Sequence, residues 1–209
     1  LSFAQSIDGS ISRIQGEPTA LSGAASLEAT HALRGVHDGI AVGVGTVLAD
    51  APRLTTRLWD GPDAVPVIFD SLLRTPPDAP LYDRDSAAPM IVCRAPTDEG
   101  TAARRTAAAA SRVTLLEGDP RDLPTVLSLL AGHSVRSLMV EGGASLIASF
   151  LEARLVDLIV VTIAPRIVGG YRYSPGEVGV RIAEARYVVL DDDVLCWGAP
   201  RWETEGEQR

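Results

Sequence analysis

The sequence is poor in the residues that build metal centres and disulfide frameworks. Its 209 residues include only two cysteines and three histidines. Cys93 and Cys196 lie far apart, match no zinc-binding spacing, and do not form the dense pattern of a small disulfide-rich domain. We therefore expect no metal site, and we expect both thiols to be buried, reduced and structural.

The chain also lacks a basic excess and a long apolar run. Lys and Arg together number 19 against 27 Asp and Glu, which gives a formal net charge of −8. Surfaces that bind nucleic acid are normally basic, so nucleic acid is not an expected partner. One or two local arginines are nevertheless enough to bind a phosphorylated small molecule. No run of about 18 apolar residues occurs, so no transmembrane helix and no membrane partner are expected.

What the sequence does contain is a regular alternation of apolar strands and helical segments. A length near 200 residues with 46% hydrophobic residues suits one globular domain over 1–209, with 203–209 as a frayed tail. The predicted strands cover 1–6, 40–44, 65–70, 90–93, 113–116, 137–140 and 158–163, with further β segments near 187–190 and 194–197. The predicted helices cover 23–36, 101–110, 123–130 and 144–153. This order predicts an α/β fold with a mostly parallel sheet flanked by helices and antiparallel strands added at the carboxyl end.

The segment 31–57 combines a buried strand with a polar run. Ile40–Val44 is apolar and β-branched, which is typical of a fully buried strand, and Gly45-Thr46 should break it. Ligands of α/β proteins commonly bind just beyond the carboxyl end of such a strand, where Thr46 and Asp50 offer polar groups. The open alternative is an ordinary junction between a strand and a loop. Val42–Thr46 resembles the start of a dinucleotide fingerprint, but Leu48 occupies the position of the third glycine, so a standard Rossmann site is not predicted.

A second candidate site is the segment Val140–Ser145. A strand ends there, two glycines turn the chain, and a helix starts, so its free backbone N–H groups are suited to a phosphate or pyrophosphate. Glu141 places a charge at the end of an apolar strand, where a carboxylate is costly to bury without a partner. The alternative interpretation is a tight turn that binds nothing.

The third candidate is a set of three arginines, Arg34, Arg53 and Arg57. We expect at least one of them to be simply solvated, whereas a converging pair would bind one phosphate. His31 and His37 are expected to be structural hydrogen-bonding residues. No Ser-His-Asp or Cys-His arrangement stands out, and the lack of an obvious nucleophile favours chemistry carried by a cofactor.

Several of these stretches together resemble the riboflavin-biosynthesis pyrimidine reductases over about residues 2–170. In chain order they are FAQSIDGSIS, HALRGVHDGIAVGVGTVLADAPRLTTR, PVIFDSLLRTP, LMVEGGASLIASFLEARLVD and IAPRIVGG. The resemblance implies a dihydrofolate-reductase-like fold and a cytoplasmic homodimer. It also implies NADPH-dependent reduction of the ribosyl group of a 5-phosphoribosylamino-pyrimidine to a ribityl chain.

The resemblance also implies the site residues. The cofactor would be bound by Ala4, Thr46, Asp50, Ser71, Gly142, Gly143, Ala144, Ser145 and Leu146. The substrate would be bound by Arg34, Leu54, Arg57 and Glu141, with Arg34 or Arg57 at its 5′-phosphate. Glu141 is the expected catalytic acid. Arg74 and Arg94 are the candidates for the 2′-phosphate of NADPH.

The chain departs from the bifunctional bacterial members of that family at three positions. Ser2 replaces a lysine of the first strand, and Pro18 and Ala20 replace a serine and a tryptophan of the following loop. The zinc deaminase signature of those members, H-x-E with P-C-x-x-C, does not occur in this chain. Two alternatives therefore stay open: a reductase of another pterin-like or pyrimidine substrate such as dihydrofolate, and a non-catalytic paralogue that binds NADPH or a pyrimidine.

Overall fold

The computed structural model describes residues 1–83, 88–109, 112–173 and 178–203. The chain folds into two compact units. The first unit comprises Leu1–Thr30 with Val140–Arg209, and the second unit comprises His31–Met139. Of the predicted tail only Glu203 is described. The other tail residues, 204–209, and the end of the predicted helix at Ala110 lie outside the described residues.

Nine strands and five α-helices are found in the described ranges, and most match the predicted elements within a few residues. They are β1 Ser2–Ser6, α1 Ala24–Gly35, β2 Gly39–Gly43, α2 Val44–Asp50, β3 Val65–Phe69, β4 Met90–Cys93, α3 Glu99–Ala109, β5 Thr114–Glu117, α4 Leu123–Gly132, β6 Leu138–Val140, α5 Ala144–Glu152, β7 Ile159–Ala164, β8 Val180–Leu190 and β9 Asp193–Trp202.

The second unit is built on a five-stranded sheet in the order β5-β4-β3-β2-β6. The pairs β2–β3, β3–β4 and β4–β5 are parallel, so the carboxyl ends of these strands meet at one edge of the sheet. Ile40, Ile68 and Ile91 are almost completely buried on adjacent strands. Such continuous apolar runs are expected where helices and loops cover both faces of a parallel sheet.

Helix α2 corrects the prediction for the end of the second strand. The strand stops at Gly43, and the predicted break at Gly45-Thr46 lies inside a seven-residue helix. Val44 and Val47 of this helix are buried, and burying such a side chain contributes about 1.5–3 kcal/mol. That gain exceeds the cost of about 1 kcal/mol for a glycine inside a helix, so tertiary packing outweighs local propensity.

The first unit is built on a four-stranded sheet in the order β1-β7-β9-β8. Strands β1 and β7 are parallel, and β9 is antiparallel to both β7 and β8. Ile147 and Leu151 of α5 pack on Ile159 and Val161 of β7. The predicted fold class, a mostly parallel α/β fold with antiparallel strands at the carboxyl end, is confirmed.

The hairpin of β8 and β9 is much longer than the predicted segments near 187–190 and 194–197. Its strands have 11 and 10 residues, with an irregular register between Ala183 and Arg186. Gly198 lies so close to the opposite strand that a Cβ atom there would be 2.5 Å from the carbonyl oxygen of Ala183. No described helix has the length and apolar character required to cross a bilayer.

Candidate functional site

The carboxyl end of β6 leads directly into Glu141, the glycine turn and helix α5. Gly142 and Gly143 have φ angles of 119° and 82°, which side-chain-bearing residues rarely adopt. Gly143 is the N-cap of α5, so the cap residue offers no side chain to the first backbone N–H groups of the helix. A Cβ atom on Gly142 would have no atom within 4 Å. The turn therefore gives an open approach to the helix start, as an anion such as a pyrophosphate requires.

The other predicted cofactor residue of the first unit is Ala4, in the middle of β1. It is partly exposed and lies in register with Thr162 of β7. The small side chain leaves this position of the sheet surface accessible to a flat ligand.

In the second unit, the predicted cofactor residues Thr46, Asp50 and Ser71 follow the carboxyl ends of two adjacent parallel strands. Thr46 and Asp50 lie one helical turn apart on α2, just after β2. Ser71 lies just after β3, the strand paired with β2. Asp50 is exposed as a residue, yet partial burial of its carboxyl group raises its pKa above the ordinary value. The structure thus brings these three residues to one edge of the sheet.

The candidates for the 2′-phosphate of NADPH differ in their surroundings. Arg94 donates from Nη2 to both carboxylate oxygens of Asp119, at 2.8 and 2.9 Å. Its backbone N–H donates to the carbonyl oxygen of Ser71 at 3.2 Å, which fixes it next to a predicted cofactor residue. Arg74 is exposed on the loop that follows β3.

Two of the three predicted arginines converge on one residue. Arg34 of α1 donates from Nη1 to the carbonyl oxygen of Thr55 at 2.9 Å, and Nη1 of Arg57 lies 3.4 Å from the hydroxyl oxygen of the same threonine. Arg53 is an exposed residue of the same segment. The pair Arg34 and Arg57 therefore forms the compact cationic group that a phosphate monoester would need.

The side chain of His31 lies next to this arginine pair. It is only 1% exposed, its Nδ1 accepts from the N–H of Leu58 at 3.3 Å, and its Nε2 lies 3.4 Å from Nη1 of Arg34. Burial, together with the charges of Arg34 and Arg57, lowers the pKa of His31 to about 4. A protonated ring would add a third positive charge beside Arg34 and Arg57, so the neutral ring suits the site, and burial with the hydrogen bond from Leu58 fits the structural role that the sequence predicts.

The pKa of His31 predicts how stability depends on pH. In the unfolded chain the imidazole takes up a proton near pH 6.5, whereas in the folded protein it does so only near pH 4. Stability from this group is therefore complete above pH 6.5 and is lost as the pH falls toward 4. Between pH 7 and pH 5 we expect a loss of about 2 kcal/mol in the free energy of unfolding, measured by urea titration.

The matched variants for this measurement are His31→Gln and His133→Gln. His133 is exposed, so its replacement should leave the pH dependence of the wild type in place. The His31 variant should lose most of the dependence between pH 7 and pH 5. If the free energy of unfolding depends on pH equally in the wild type and in the His31 variant, His31 does not cause the pH dependence.

Leu54, a predicted substrate residue, belongs to the core of the second unit. Its side chain is 3% exposed and packs in the cluster that contains Ile40 and Ile68, and its φ angle is 53°. A contact from this position to a substrate would therefore come from its backbone rather than from its side chain.

The sequence analysis missed one cluster, which is centred on Asp8. No role was predicted for Asp8, whereas its carboxylate joins the loop after β1 to the loop after β7. The serines on either side, Ser6 and Ser10, were the available signal, because hydroxyl groups spaced by two residues around an aspartate commonly form such local hydrogen bonds. Within the described ranges, no group of three or more His, Cys, Asp or Glu side chains is arranged to hold a metal ion.

The fold defines a class of protein: an α/β protein with a parallel sheet flanked by helices and a second sheet that contains an antiparallel hairpin. The sequence profile of the RibD C-terminal domain matches residues 1–195. The chain therefore belongs to the RibD C-terminal domain family.

The relatives of the chain differ in length. The 2,5-diamino-6-ribosylamino-4(3H)-pyrimidinone 5′-phosphate reductase of Methanothermobacter thermautotrophicus is 38% identical over 175 residues, covering 81% of this chain and 78% of that protein. The riboflavin biosynthesis protein RibD of Bacillus amyloliquefaciens is 37% identical over 174 residues, covering 81% of this chain. The chain spans only 46% of that longer protein.

Solved structures agree with the fold. The riboflavin biosynthesis reductase Rib7 of Saccharomyces cerevisiae superposes with a TM-score of 0.73 and 26% identity, over 96% of this chain and 88% of that one. Dihydrofolate reductase from Enterococcus faecalis superposes with a TM-score of 0.50 and 13% identity, over 97% and 95% of the two chains. The predicted dihydrofolate-reductase-like fold is confirmed.

Proposed function

We propose that the protein is an NADPH-dependent reductase that converts the ribosyl group of a 5-phosphoribosylamino-pyrimidine to a ribityl chain in riboflavin biosynthesis. The observation that carries the proposal is membership of the RibD C-terminal domain family, with a relative named as such a reductase at 38% identity. The open glycine turn before α5 and the arginine pair supply the phosphate-binding elements that both ligands require.

The residues proposed to bind NADPH are those that the family resemblance implies. In the first unit, Ala4 and the segment Gly142–Leu146 are proposed to contact it, with the N–H groups of the glycine turn on the pyrophosphate. In the second unit, Thr46, Asp50 and Ser71 are proposed to contact it. When bound, NADPH supplies a hydride from C4 of the nicotinamide to C1′ of the substrate.

The remaining chemistry is assigned to residues of this chain. Arg34 and Arg57 bind the 5′-phosphate of the substrate by charge-assisted hydrogen bonds. The carbonyl oxygen of Thr55 holds Arg34 in place, and neutral His31 lies beside it without adding a third positive charge. After the ribosylamine ring opens to an imine at C1′, Glu141 delivers the proton that balances the arriving hydride, to the nitrogen or to the ring oxygen. Holding the two ligands in contact provides the rest of the rate enhancement.

We also propose that the reductase is a homodimer. Strand β8 lies at the edge of its sheet, and Tyr187 and Val189 on it are 66% and 69% exposed. An edge strand with exposed apolar side chains is a surface that proteins usually cover, and a second copy of the chain would do so. Sedimentation of the purified protein tests this, and a mass of one chain at micromolar concentration would contradict it.

The proposed activity is tested by the loss of NADPH absorbance with two freshly made substrates. These are the 2,5-diamino ribosylamino-pyrimidinone phosphate and its deaminated uracil counterpart. We expect turnover of at least one, and the ratio shows whether reduction precedes or follows deamination. Turnover of dihydrofolate alone would identify a different reductase. Binding of NADPH without turnover of any substrate would identify the non-catalytic paralogue.

A further inference from the structure

A single carboxylate ties together two loops of the first unit. The loop clasp is formed by residues 6–12, which follow β1, and residues 166–172, which follow β7. One oxygen of Asp8 accepts from the N–H of Val168 at 3.0 Å, and the other accepts from the N–H of Gly169 at 3.0 Å. The hydroxyl groups of Ser6 and Ser10 donate to the same carboxylate at 2.5 and 2.9 Å.

The clasp is built tightly around this carboxylate. Ser6 and Ser10 are fully buried, and the hydroxyl oxygen of Ser10 accepts from the N–H of Gly170 at 2.9 Å. A Cβ atom on Gly170 would collide with the backbone of Ser12 and Arg13, so only glycine fits this approach of the two loops. The hydroxyl of Ser6 and the N–H of Val168 hold the pKa of Asp8 well below its ordinary value. The carboxylate is therefore ionised at neutral pH and keeps its donors.

The clasp lies at the carboxyl ends of two neighbouring strands. Strands β1 and β7 are parallel neighbours in register from Ser2–Val160 to Ser6–Ala164. The clasp joins their carboxyl ends, which is the edge where α/β sheets bind ligands. Ala4, a proposed cofactor residue, lies two positions before the first loop begins.

We propose that Asp8 is a positioning residue for hydride transfer: its carboxylate locks the two loops at the ligand-binding edge of β1 and β7. The proposal rests on the proposed reductase function. Asp8 donates no proton and binds no substrate in this role. It fixes the backbone that borders the bound ligands, and small displacements there lower the rate of a reaction that depends on close alignment.

Asp38 provides a matched control, because it lies at the amino end of a parallel strand rather than at a carboxyl end. Asp38 also accepts from two backbone N–H groups, those of Arg136 and Ser137, both at 2.9 Å, and from the hydroxyl of Ser137 at 3.0 Å. It lies just before β2, at the amino end of that strand. Asp8→Asn and Asp38→Asn therefore each remove a carboxylate that accepts from two backbone N–H groups, and only Asp8 lies at a ligand-binding edge. Asp8 also pairs with Nη2 of Arg172 at 3.3 Å.

The experiment compares kcat, KM and hydrogen exchange in the wild type and the two variants. For Asp8→Asn we expect kcat to fall about 10- to 100-fold while KM for the pyrimidine changes little. With NADPH deuterated at the transferred position, the isotope effect on kcat should rise, and the amides of Val168 and Gly169 should exchange faster. For Asp38→Asn we expect normal kcat and a normal isotope effect.

Two results with the variants would contradict the role proposed for Asp8. A kcat of Asp8→Asn within about twofold of the wild type, or an equal loss in Asp38→Asn, would show that the carboxylate is only structural. If Asp8→Asn does not fold, Ser10→Ala decides, since it removes one donor and should give a smaller loss of kcat with the same rise in isotope effect. An inactive wild type overturns the reductase function itself, which distinguishes that failure from failure of the Asp8 proposal.

Discussion

Replacing Glu141 with glutamine should lower kcat by about 10²- to 10⁴-fold, the range that a general acid contributes. Glu141 follows β6 directly and precedes the glycine turn, and we propose that it donates a proton from this position. Glutamine has nearly the same size and keeps hydrogen-bonding groups, but it cannot transfer a proton. The affinity for NADPH, measured by fluorescence titration, should change little because the backbone of the turn is retained.

Glu152 provides the control for this prediction. It is an exposed carboxylate in the last turn of the same helix, α5, so Glu152→Gln removes an equal charge far from the helix start. Its kcat should match that of the wild type. Normal turnover in Glu141→Gln would remove Glu141 from the proton-transfer step.

Replacing Arg57 with alanine should raise KM for the pyrimidine phosphate about 10- to 100-fold, because hydrogen bonds to charged groups contribute about 1.5–3 kcal/mol. A phosphate far from the reacting carbon is bound equally in the ground state and the transition state, so kcat should change little. Arg57 is exposed and its contact to Thr55 is long, at 3.4 Å, so stability should change by no more than about 0.5 kcal/mol.

Arg53→Ala is the comparison for the arginine pair. Arg53 is exposed on the same segment and carries the same charge, so a general electrostatic effect would raise KM in both variants. We expect a rise only for Arg57→Ala, measured at constant ionic strength. An unchanged KM in that variant would exclude Arg57 from the phosphate site.

The parallel half of the fold was predictable because each strand of the second sheet is a short apolar run bounded by turn residues. Ile40–Val42 and Val67–Phe69 show no alternation, as expected for strands covered on both faces. The long hairpin was not predictable in the same way. Arg181, Glu184 and Arg186 interrupt β8, and Pro200 lies inside β9, so only short apolar fragments of each strand were visible.

The glycine turn before α5 was predictable because the residues that form it are adjacent in sequence. The glycine pair after a strand signals a helix start, and the structure forms that turn. Contacts between distant residues gave no local signal. The amide of Gly23 donates to Asp193 at 2.7 Å, so the start of α1 is tied to the turn between β8 and β9, although 170 residues separate the two. The backbone partners of Asp8, Val168 and Gly169, are 160 and 161 residues away in sequence, and the buried Leu54 lies within a segment rich in polar residues.

The burial of both thiols makes the protein suited to site-specific labelling. Cys93 and Cys196 are buried, and burial raises the pKa of the Cys93 thiol, which lowers the fraction of the reactive thiolate. Ile167, in the second loop of the clasp, is 84% exposed. A maleimide fluorophore on an Ile167→Cys variant would therefore attach at that loop without prior removal of the native cysteines. Its emission would report, in real time, how the clasp responds as NADPH and the pyrimidine enter and leave.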